Sequence, residues 1–345
     1  MDEVSIIGVD LAKHVFQLHG AAADGRVVFR RRVRREQLLP FLAARPACGV
    51  VMEACGSAHY WAREIGALGH RVRLVAPAYV KPFVKRQKND AADAEAIVEA
   101  AQRPTMRFVA VKSAEQQASA MVFKTRDLLV RQRTSLVNAL RAHMAEFGLV
   151  APKGICHVGR LEALLAEDTT LPEPVRRLCG ELLALIAGLT ERLGVLDREV
   201  RERARTDELA RRLQKIPGIG PVTALALAVL APPPETFERG RDLAAWIGLT
   251  PRQHSSGGVS RLGKTSKMGQ RDLRRLLIIG ASAVVRWARR PQHGERLAPK
   301  GSWLAGMLAR KPPMLVVVAL ANKMARVAWA LMARGDAYRA PAPAS

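Results

Sequence analysis

The order of strand and helix patterns near the N-terminus most limits the fold. Three segments with strand patterns come first, at residues 4–9, 15–20 and 26–33. A helix, a strand, a helix and a strand then follow, at residues 35–45, 49–52, 58–68 and 71–75. Short turns between the first three strands predict an antiparallel meander, and the later alternation predicts a sheet with helices on its faces. We therefore expect an α/β fold of the ribonuclease H-like layout.

Acidic residues follow two of these strands. Asp10 ends the first strand, and Glu53 comes directly after the strand at 49–52. In open α/β sheets, functional sites lie at the carboxyl ends of the strands. Asn89 is a good N-cap for a helix in which Asp90 and Asp93 stand one turn apart, so that both carboxylates share one face. We expect this helix to lie across the strand ends and bring four carboxylates together.

Four neighbouring carboxylates repel one another unless cations lie between them. Oxygen ligands favour Mg²⁺ or Mn²⁺, and paired ions activate a nucleophile and stabilise a leaving oxygen at phosphorus. The basic residues just upstream, among them Lys88, would neutralise the acids or hold a phosphate. A structural alternative is that the acids cap helices, face solvent, or pair with Arg63 or Arg73.

Charge indicates the partner. A formal net charge of +24 in 345 residues points to a polyanion, nucleic acid first and an acidic membrane surface second. No stretch reaches the roughly 18 uninterrupted apolar residues of a membrane span, and the N-terminus lacks a secretion leader pattern. The four cysteines lack CxxC spacing, which fits reduced thiols in a cytoplasm.

Two long helices are predicted within residues 113–205. The first begins at Ser113 and ends before Gly148. The second carries apolar residues spaced mostly by four and three, which is typical of a coiled-coil seam: Leu178, Leu182, Leu185, Leu189, Leu193, Leu196 and Val200. An intramolecular helical hairpin fits this pattern at least as well as a dimerising coiled coil.

A helix-hairpin-helix pattern follows within residues 213–224. Its glycines, Gly218 and Gly220, permit a tight turn, and the second helix would present its N-terminal amides to a phosphate. A dinucleotide-binding interpretation is weaker, because a helix and not a strand precedes the glycines. Helix packing alone is the structural alternative.

Residues 252–296 contain eleven Lys and Arg against two acids. Among them, the segment Ser255-Ser256-Gly257-Gly258 puts hydroxyls on a flexible, amide-rich loop that suits a phosphate. Nearby cations would stabilise charge on that phosphate and lower the pKa of a serine: Arg252, Arg261, Lys264, Lys267 and Arg271. The structural alternative is an ordinary loop.

The sequence thus divides into four parts: an α/β domain at 1–112, a long-helix region at 113–205, a mostly helical domain at 206–335 and a flexible tail at 336–345. Within the third part we expect apolar helices at 273–289, 300–308 and 314–332.

Six motifs, in order over nearly the whole chain, resemble those of IS110-family transposases of the IS1111 branch. They are GVDLAK at 8–13, MEACG at 52–56, KNDAADA at 88–94, IPGIG at 216–220, GLTPRQHSSGG at 248–258 and ANKMAR at 321–326. The resemblance implies a RuvC-like N-terminal domain, a coiled-coil linker and a C-terminal transposase domain.

The resemblance also implies the site residues and partners. Asp10, Glu53, Asp90 and Asp93 would form the metal-binding tetrad, and Ser256 would be the nucleophile, with Ser255 ranked second. A bridge RNA would pair donor and target DNA, and dimers would assemble into tetramers. The chain is then expected to be a recombinase that moves its own insertion element. Two alternatives are a metal-dependent junction nuclease that uses water and a catalytically silent nucleic-acid-binding scaffold.

Overall fold

A computed structural model describes residues 3–85, 90–290, 292 and 297–339, with the backbone alone at residues 90 and 91. The chain divides into two compact units, residues 1–118 and 119–345.

The first unit is built on a six-stranded sheet. Its strands are β1 (Ile6–Asp10), β2 (Val15–Ala21), β3 (Val27–Arg34), β4 (Gly49–Glu53), β5 (Arg71–Val75) and β6 (Phe108–Val109), in the order β3-β2-β1-β4-β5-β6. The strands β1, β2 and β3 pair antiparallel, β1, β4 and β5 pair parallel, and β6 is antiparallel to β5. The predicted meander and α/β alternation are therefore confirmed. The edge strand β6 has only two residues and leaves no periodic signal in the sequence.

Four helices accompany the sheet: α1 (Leu38–Ala43), α2 (Ala58–Ala67), α3 (Pro77–Val80) and α4 (Asp90–Ala101). Alternate strand residues point to opposite faces. On one face Val9 and Met52 pack in a core with residues of α1 and α2. On the other face Val51 and Val75 pack against Ile97 of α4. The helix predicted to carry two acids thus lies on the face opposite α1 and α2, together with Val80 of α3.

The second unit is mostly helical. Its helices are α5 (Ala114–Ala145, whose first turn belongs to the first unit), α6 (Val158–Glu167), α7 (Glu173–Thr206), α8 (Glu208–Leu213), α9 (Pro221–Leu230), α10 (Gly240–Ile247), α11 (Arg271–Ala288), α12 (Trp303–Arg310) and α13 (Pro313–Arg334). Two short strands, β7 (Pro251–Gln253) and β8 (Leu262–Thr265), form an antiparallel hairpin.

The long helices α5 and α7 pair within the chain. Arg126 on α5 donates a hydrogen bond to Asp197 on α7 at 2.6 Å, so the intramolecular interpretation describes this pair. At its N-terminal end the predicted seam lies outside the packing within the chain, because Leu178 and Leu185 are 53% and 54% exposed. The buried residues repeat every seven positions, at Cys179, Ile186, Leu193 and Val200. The predicted seam matches this repeat at Leu193 and Val200 and lies one residue before it at Leu178 and Leu185.

Helix α13 lies in the core of the second unit. It is the one described helix whose length and composition would let it cross a membrane. Its buried residues, such as Val316, Ala321 and Ala328, pack in the same core as those of α10 and α11, so the apolar composition is explained by burial. Tyr338, which falls in the predicted tail, also packs against this core. All four cysteines are free.

Candidate active site

A glycine in β1 lets α4 approach the sheet. A Cβ on Gly8 would lie 2.5 Å from the carbonyl oxygen of Ala94 and 2.6 Å from a methyl group of Val98, so any other residue would push the helix away. Gly8 and Asp10 lie two positions apart and share one face of the strand. Asp93 directly precedes Ala94. The close contact therefore brings the Asp93 turn of α4 over the strand end that carries Asp10.

Glu53 reaches the same place from the neighbouring strand. Val9 pairs with Met52 in the parallel ladder, so Asp10 and Glu53 end adjacent strands. Val51, two positions before Glu53, packs against α4, and Glu53 shares its face. Sequence reasoning placed these two acids at strand ends, and the structure confirms that position.

Electrostatics couples two of the acids. Burial raises the pKa of Glu53, and the negative charge of Asp93 raises it further. The two arginines proposed as alternative partners are engaged elsewhere. Arg63 donates to the carbonyl oxygen of Lys112 at 2.8 Å, and the Arg73 guanidinium lies 4.8 Å from the ring centroid of Phe108.

The complete tetrad is not visible in the described part of the chain. Lys88 and the side chain of Asp90 lie outside the described residues, and among the described side chains no three acids, histidines or cysteines are close enough to hold an ion. The basic residue Lys85, three residues before the KNDAADA motif, forms an ion pair with Glu95, two residues after Asp93. Asp10 and Glu53 thus end adjacent strands, and the charge of Asp93 acts on Glu53. Joint binding of a metal by the acids stays a prediction.

A buried histidine next to this site was missed by sequence reasoning. His19 pairs with Gly8 in the antiparallel ladder and is 3% exposed. Burial lowers its pKa, opposed by the charge of Glu95, whose carboxylate also accepts a hydrogen bond from Arg30 at 2.9 Å. The strand period alone puts His19 on the α4 face, and that signal was available in the sequence.

Ser256 stands at the tip of the β7–β8 hairpin. Its carbonyl oxygen accepts a hydrogen bond from the Val259 amide at 3.0 Å, which closes a two-residue turn. Gly257 and Gly258, the central residues, have φ values of 55° and 78°, as a type I′ turn requires. The predicted flexible loop is therefore an ordered turn, and the glycines serve its backbone conformation.

The two serines differ in their hydrogen bonds. The Ser255 hydroxyl accepts bonds from Gln253 Nε2 at 3.1 Å and from the Arg261 amide at 3.2 Å. Within the described part of the chain, the Ser256 hydroxyl has no such partner. Ser255 braces the hairpin, whereas the oxygen of Ser256 is available to an incoming group.

The base of the hairpin is fixed to the helices. Arg274 donates hydrogen bonds to the carbonyl oxygens of Ile247 at 2.8 Å and Met268 at 3.0 Å. Gly269 has a φ of 73°, and a Cβ there would lie 1.8 Å from the Trp246 carbonyl oxygen. The hairpin thus projects from a rigid attachment.

Comparisons with known proteins agree with both halves of this description. A family model described as "Transposase IS116/IS110/IS902 family" matches residues 210–297, and a second, the IS110 DEDD model described as "Transposase", matches residues 7–148. The chain is 49% identical to a probable family 20 transposase of Pseudomonas aeruginosa, over 97% of this chain and 99% of that protein. The chain belongs to the IS110 family of transposases.

Two further relatives carry the names of insertion sequences. The chain is 42% identical to the transposase for insertion sequence element IS1328 of Yersinia enterocolitica, over 98% of this chain and 99% of the relative. It is 40% identical to the transposase for IS1111A of Coxiella burnetii, over 98% and 92%. The protein is therefore an insertion-sequence transposase, an enzyme that acts on DNA.

Both groups of candidate residues fall inside the matched segments. The first match includes Ser256, and the second includes Asp10, Glu53 and Asp93. Apart from Lys88, which lies outside the described residues, the cations predicted to bind nucleic acid are exposed on or beside the hairpin of the transposase. Among the described residues none of the five has a carboxylate partner: Arg252, Arg261, Lys264, Lys267 and Arg271.

The helix-hairpin-helix segment joins α8 to α9. Gly218 has a φ of 88°, and a Cβ there would lie 2.9 Å from the carbonyl oxygen of Gly280 on α11. Gly218 therefore has a packing role, the structural alternative considered for this motif. Gly220 is exposed, with open space around it, at the start of α9. Contact of these two glycines with phosphate stays a prediction.

Proposed function

We propose that this IS110 transposase cuts and rejoins DNA through nucleophilic attack by Ser256. The observation that carries the proposal is the exposed serine hydroxyl without a described partner, held on an ordered turn among unpaired cations. The Ser256 Oγ–phosphorus bond forms as the phosphorus–O3′ bond breaks, and the serine proton passes through solvent to the freed 3′ oxygen. A 3′-hydroxyl of another strand then attacks the 5′-phosphoserine and releases the serine. The covalent intermediate divides one difficult displacement into two easier steps.

The charges around the hairpin support this chemistry. Arg252 and Arg261 lie on the same hairpin as Ser256 and are exposed. Guanidinium groups hold phosphate oxygens bidentately and stabilise the negative charge that develops there. The cations would thus bind the transition state more tightly than the intact DNA and so lower the barrier to cleavage.

We also propose Mg²⁺, with Mn²⁺ as a substitute, at the acids of the first unit. The residues fit such an ion, because they offer only oxygen ligands and the charge of Asp93 opposes ionisation of Glu53. Asp10, Glu53, Asp90 and Asp93 would hold it. When bound, the ion would polarise the scissile phosphodiester and offset its charge.

Two structural classifications are part of the proposal. The strand order β3-β2-β1-β4-β5 supports a RuvC-like, ribonuclease H-like first unit. The exposed Gly220 at the start of α9 supports a helix-hairpin-helix that binds phosphate through the amides of that helix. Lys88 and Gly218 are retained as expected contacts to nucleic acid.

We further propose a bridge RNA and an oligomeric assembly as partners. The surplus of positive charge supports binding of more than one polyanion, here donor and target DNA together with a guide RNA. A homodimer that assembles into a tetramer would bring two donor and two target strands together. Copurified RNA, and mass measurements with and without that RNA, test these two points.

The decisive experiment traps the covalent intermediate. Wild-type protein is incubated with Mg²⁺, labelled DNA carrying the element ends and RNA transcribed from the flanking sequence, and the products are separated under denaturing conditions. A labelled adduct that Ser256→Ala abolishes while nucleic-acid binding persists is the expected result. Unimpaired recombination by Ser256→Ala would refute the assignment.

Two other outcomes identify the alternatives. Cleavage to 3′-hydroxyl and 5′-phosphate ends without an adduct indicates a junction nuclease that uses water. Unchanged behaviour of Asp10→Asn in every assay indicates a nucleic-acid-binding scaffold.

A further inference from the structure

A cavity of about 1370 Å³ lies beside the base of the serine hairpin, within the second unit. Residues of the hairpin, the start of α10, Trp303 of α12 and one side of α13 line it. We call it the α13 groove. Among the described residues, its lining contains five cations and no Asp or Glu. The cations are Arg239, Arg241, Lys264, Lys323 and Arg326.

The charge of the α13 groove is largely uncompensated. Among the described residues, Arg239 alone of the five cations has a carboxylate nearby, Asp242 at 3.9 Å. Lys323 and Arg326 stand one turn apart on α13. Burial lowers the pKa of Lys323, and the charge of Arg326 lowers it further. Two like charges held together in a half-buried wall favour an anion between or above them.

Apolar surface accompanies these charges. The Trp303 ring is 39% exposed, and the Lys323 ammonium lies 4.5 Å from its centroid. Leu262 and Leu315, which also line the groove, are 68% and 49% exposed. A DNA duplex presents phosphates outward and keeps its base faces stacked inside. Cations interleaved with exposed aromatic and aliphatic surface suit a single strand, whose phosphates and unpaired bases are both accessible.

We propose that the α13 groove binds a single strand of DNA next to the phosphodiester that Ser256 attacks. This inference rests on the proposed function. Strand β8 lines the groove from Leu262 to Thr265, and the same hairpin carries Ser256 at its tip. Leu262 pairs with Gln253. Gln253 lies three residues before Ser256, which is at most about 10 Å at the rise of a strand. The groove would retain the strand while the phosphoserine bond is open.

A matched tryptophan provides the control. Trp287 on α11 is also 39% exposed and also has a cation above its ring, Arg290 at 4.7 Å, but it does not line the groove. Substitution of either tryptophan by alanine removes the same side chain of equal exposure. If Trp303→Ala and Trp287→Ala differ in their affinity for the oligonucleotide, the difference is therefore due to where the ring lies and not to loss of a tryptophan as such.

The experiment measures binding in a Ser256→Ala background, in which no covalent step occurs. Fluorescence anisotropy follows titrations of labelled oligothymidylate, of oligouridylate of the same length and of a DNA duplex. Trp303→Ala should weaken oligothymidylate binding by about 5- to 150-fold, the range for loss of one stacked base. Trp303→Phe should restore most of the affinity, and Trp287→Ala should leave it unchanged.

A salt titration tests the cations separately. Replacement of both Lys323 and Arg326 by glutamine should lower the slope of log K against log salt by roughly 1.4, because each phosphate contact on a single strand contributes about 0.7. An unchanged slope overturns the proposal.

Three binding outcomes also overturn it: equal losses in Trp303→Ala and Trp287→Ala, an equal loss on the duplex, or a loss confined to oligouridylate. Since binding is measured without chemistry, a Trp303-dependent single-strand site would survive failure of the adduct experiment. The proposal of a Ser256 nucleophile and the proposal of a single-strand site in the α13 groove can therefore be refuted independently of each other.

Discussion

The acids of the first unit and the serine of the second are held by opposite means. Asp10 and Glu53 are half-buried at the ends of core strands, and a helix packed on Gly8 covers their face of the sheet. Ser256 is exposed at the tip of a hairpin whose own strands contribute little to any core. The first arrangement depends on side-chain packing, whereas the second depends on backbone conformation and on a clamped base.

This difference predicts how each region fails. A packing fault at the acids spreads to the whole sheet, because protein interiors are close-packed and transmit strain. A conformational fault at the hairpin tip stays local, because a Cβ on Gly257 or Gly258 would have no described atom beyond its chain neighbours within 4 Å. Stability and chemistry should therefore change together in the first unit and separately in the hairpin.

The largest effect is expected from Gly8→Val. The added Cβ would lie 2.5 Å from the Ala94 carbonyl oxygen and 2.6 Å from a Val98 methyl group, where ordinary van der Waals contact starts at 3.4 Å. Overpacking of this kind costs about 1–3 kcal/mol or more. The free energy of unfolding and adduct formation should both fall, as measured by denaturant titration and by the trapping assay. Gly66→Ala is the control, because Gly66 lies in α2 with open space around it and should gain stability. Equal stability of both variants would contradict the packing argument.

A smaller and purely local effect is expected from Gly258→Val. The residue has a φ of 78°, and left-handed backbone costs a non-glycine residue about 1–2 kcal/mol. Adduct formation should fall by roughly 5- to 30-fold, while the thermal unfolding temperature stays within about 1 °C, because the strained turn relaxes without exposing a core.

Asparagine supplies the control at this position. Asn tolerates the left-handed region, so Gly258→Asn should retain most of the adduct yield. If valine and asparagine reduce the yield equally, the glycine serves a close approach to DNA and not the turn.

The two regions also differed in how far the sequence predicted them. The strands around Asp10 and Glu53 were predictable, because alternation and apolar runs are local signals and a strand end fixes where the next residue goes. The role of Gly8 was not predictable, since it depends on a contact with α4 about 86 positions further along the chain.

The predictions of a flexible loop at the hairpin tip and of the seam in α7 differ from the structure for other physical reasons. Strand β7 has three residues, too few for a period, so the two glycines of its turn indicated only a loop. In α7 both Leu185 and Ile186 are apolar, and composition cannot say which of two adjacent apolar residues faces the core. Contact with the neighbouring helices decides it: Ile186 packs in a core with residues of α5 and α6.

The pH dependence of stability offers a test confined to the acids. Burial and the charge of Asp93 raise the pKa of Glu53 above its ordinary value of 4.5, so the folded state binds the proton more tightly than the unfolded chain. This contribution to stability is complete below pH 4.5 and is lost as pH rises through the raised pKa. At neutral pH without metal, ionised Glu53 therefore destabilises the fold.

Glu53→Gln should accordingly raise the unfolding temperature at pH 7 by roughly 1–3 °C and leave no gain at pH 4. Thermal unfolding across that range measures it, with Glu64→Gln on α2 as the control. Added Mg²⁺ should stabilise the wild type more than Glu53→Gln. If Glu53→Gln and Glu64→Gln changed the unfolding temperature equally at every pH, Glu53 would not be part of the acidic site.

The smallest effect is expected from Ser255→Ala, and it distinguishes the two serines. The substitution removes the acceptor for Gln253 Nε2 and the Arg261 amide. An exposed hydrogen bond contributes about 0.5–1.5 kcal/mol, so a looser hairpin should form adduct roughly 2- to 10-fold more slowly without losing it. Ser260→Ala, on the same hairpin, should leave the rate unchanged. If Ser255→Ala abolished the adduct and Ser256→Ala merely slowed its formation, Ser255 would be the nucleophile. The Ser255 hydroxyl would then have to give up its hydrogen bonds from Gln253 and Arg261 before it could attack.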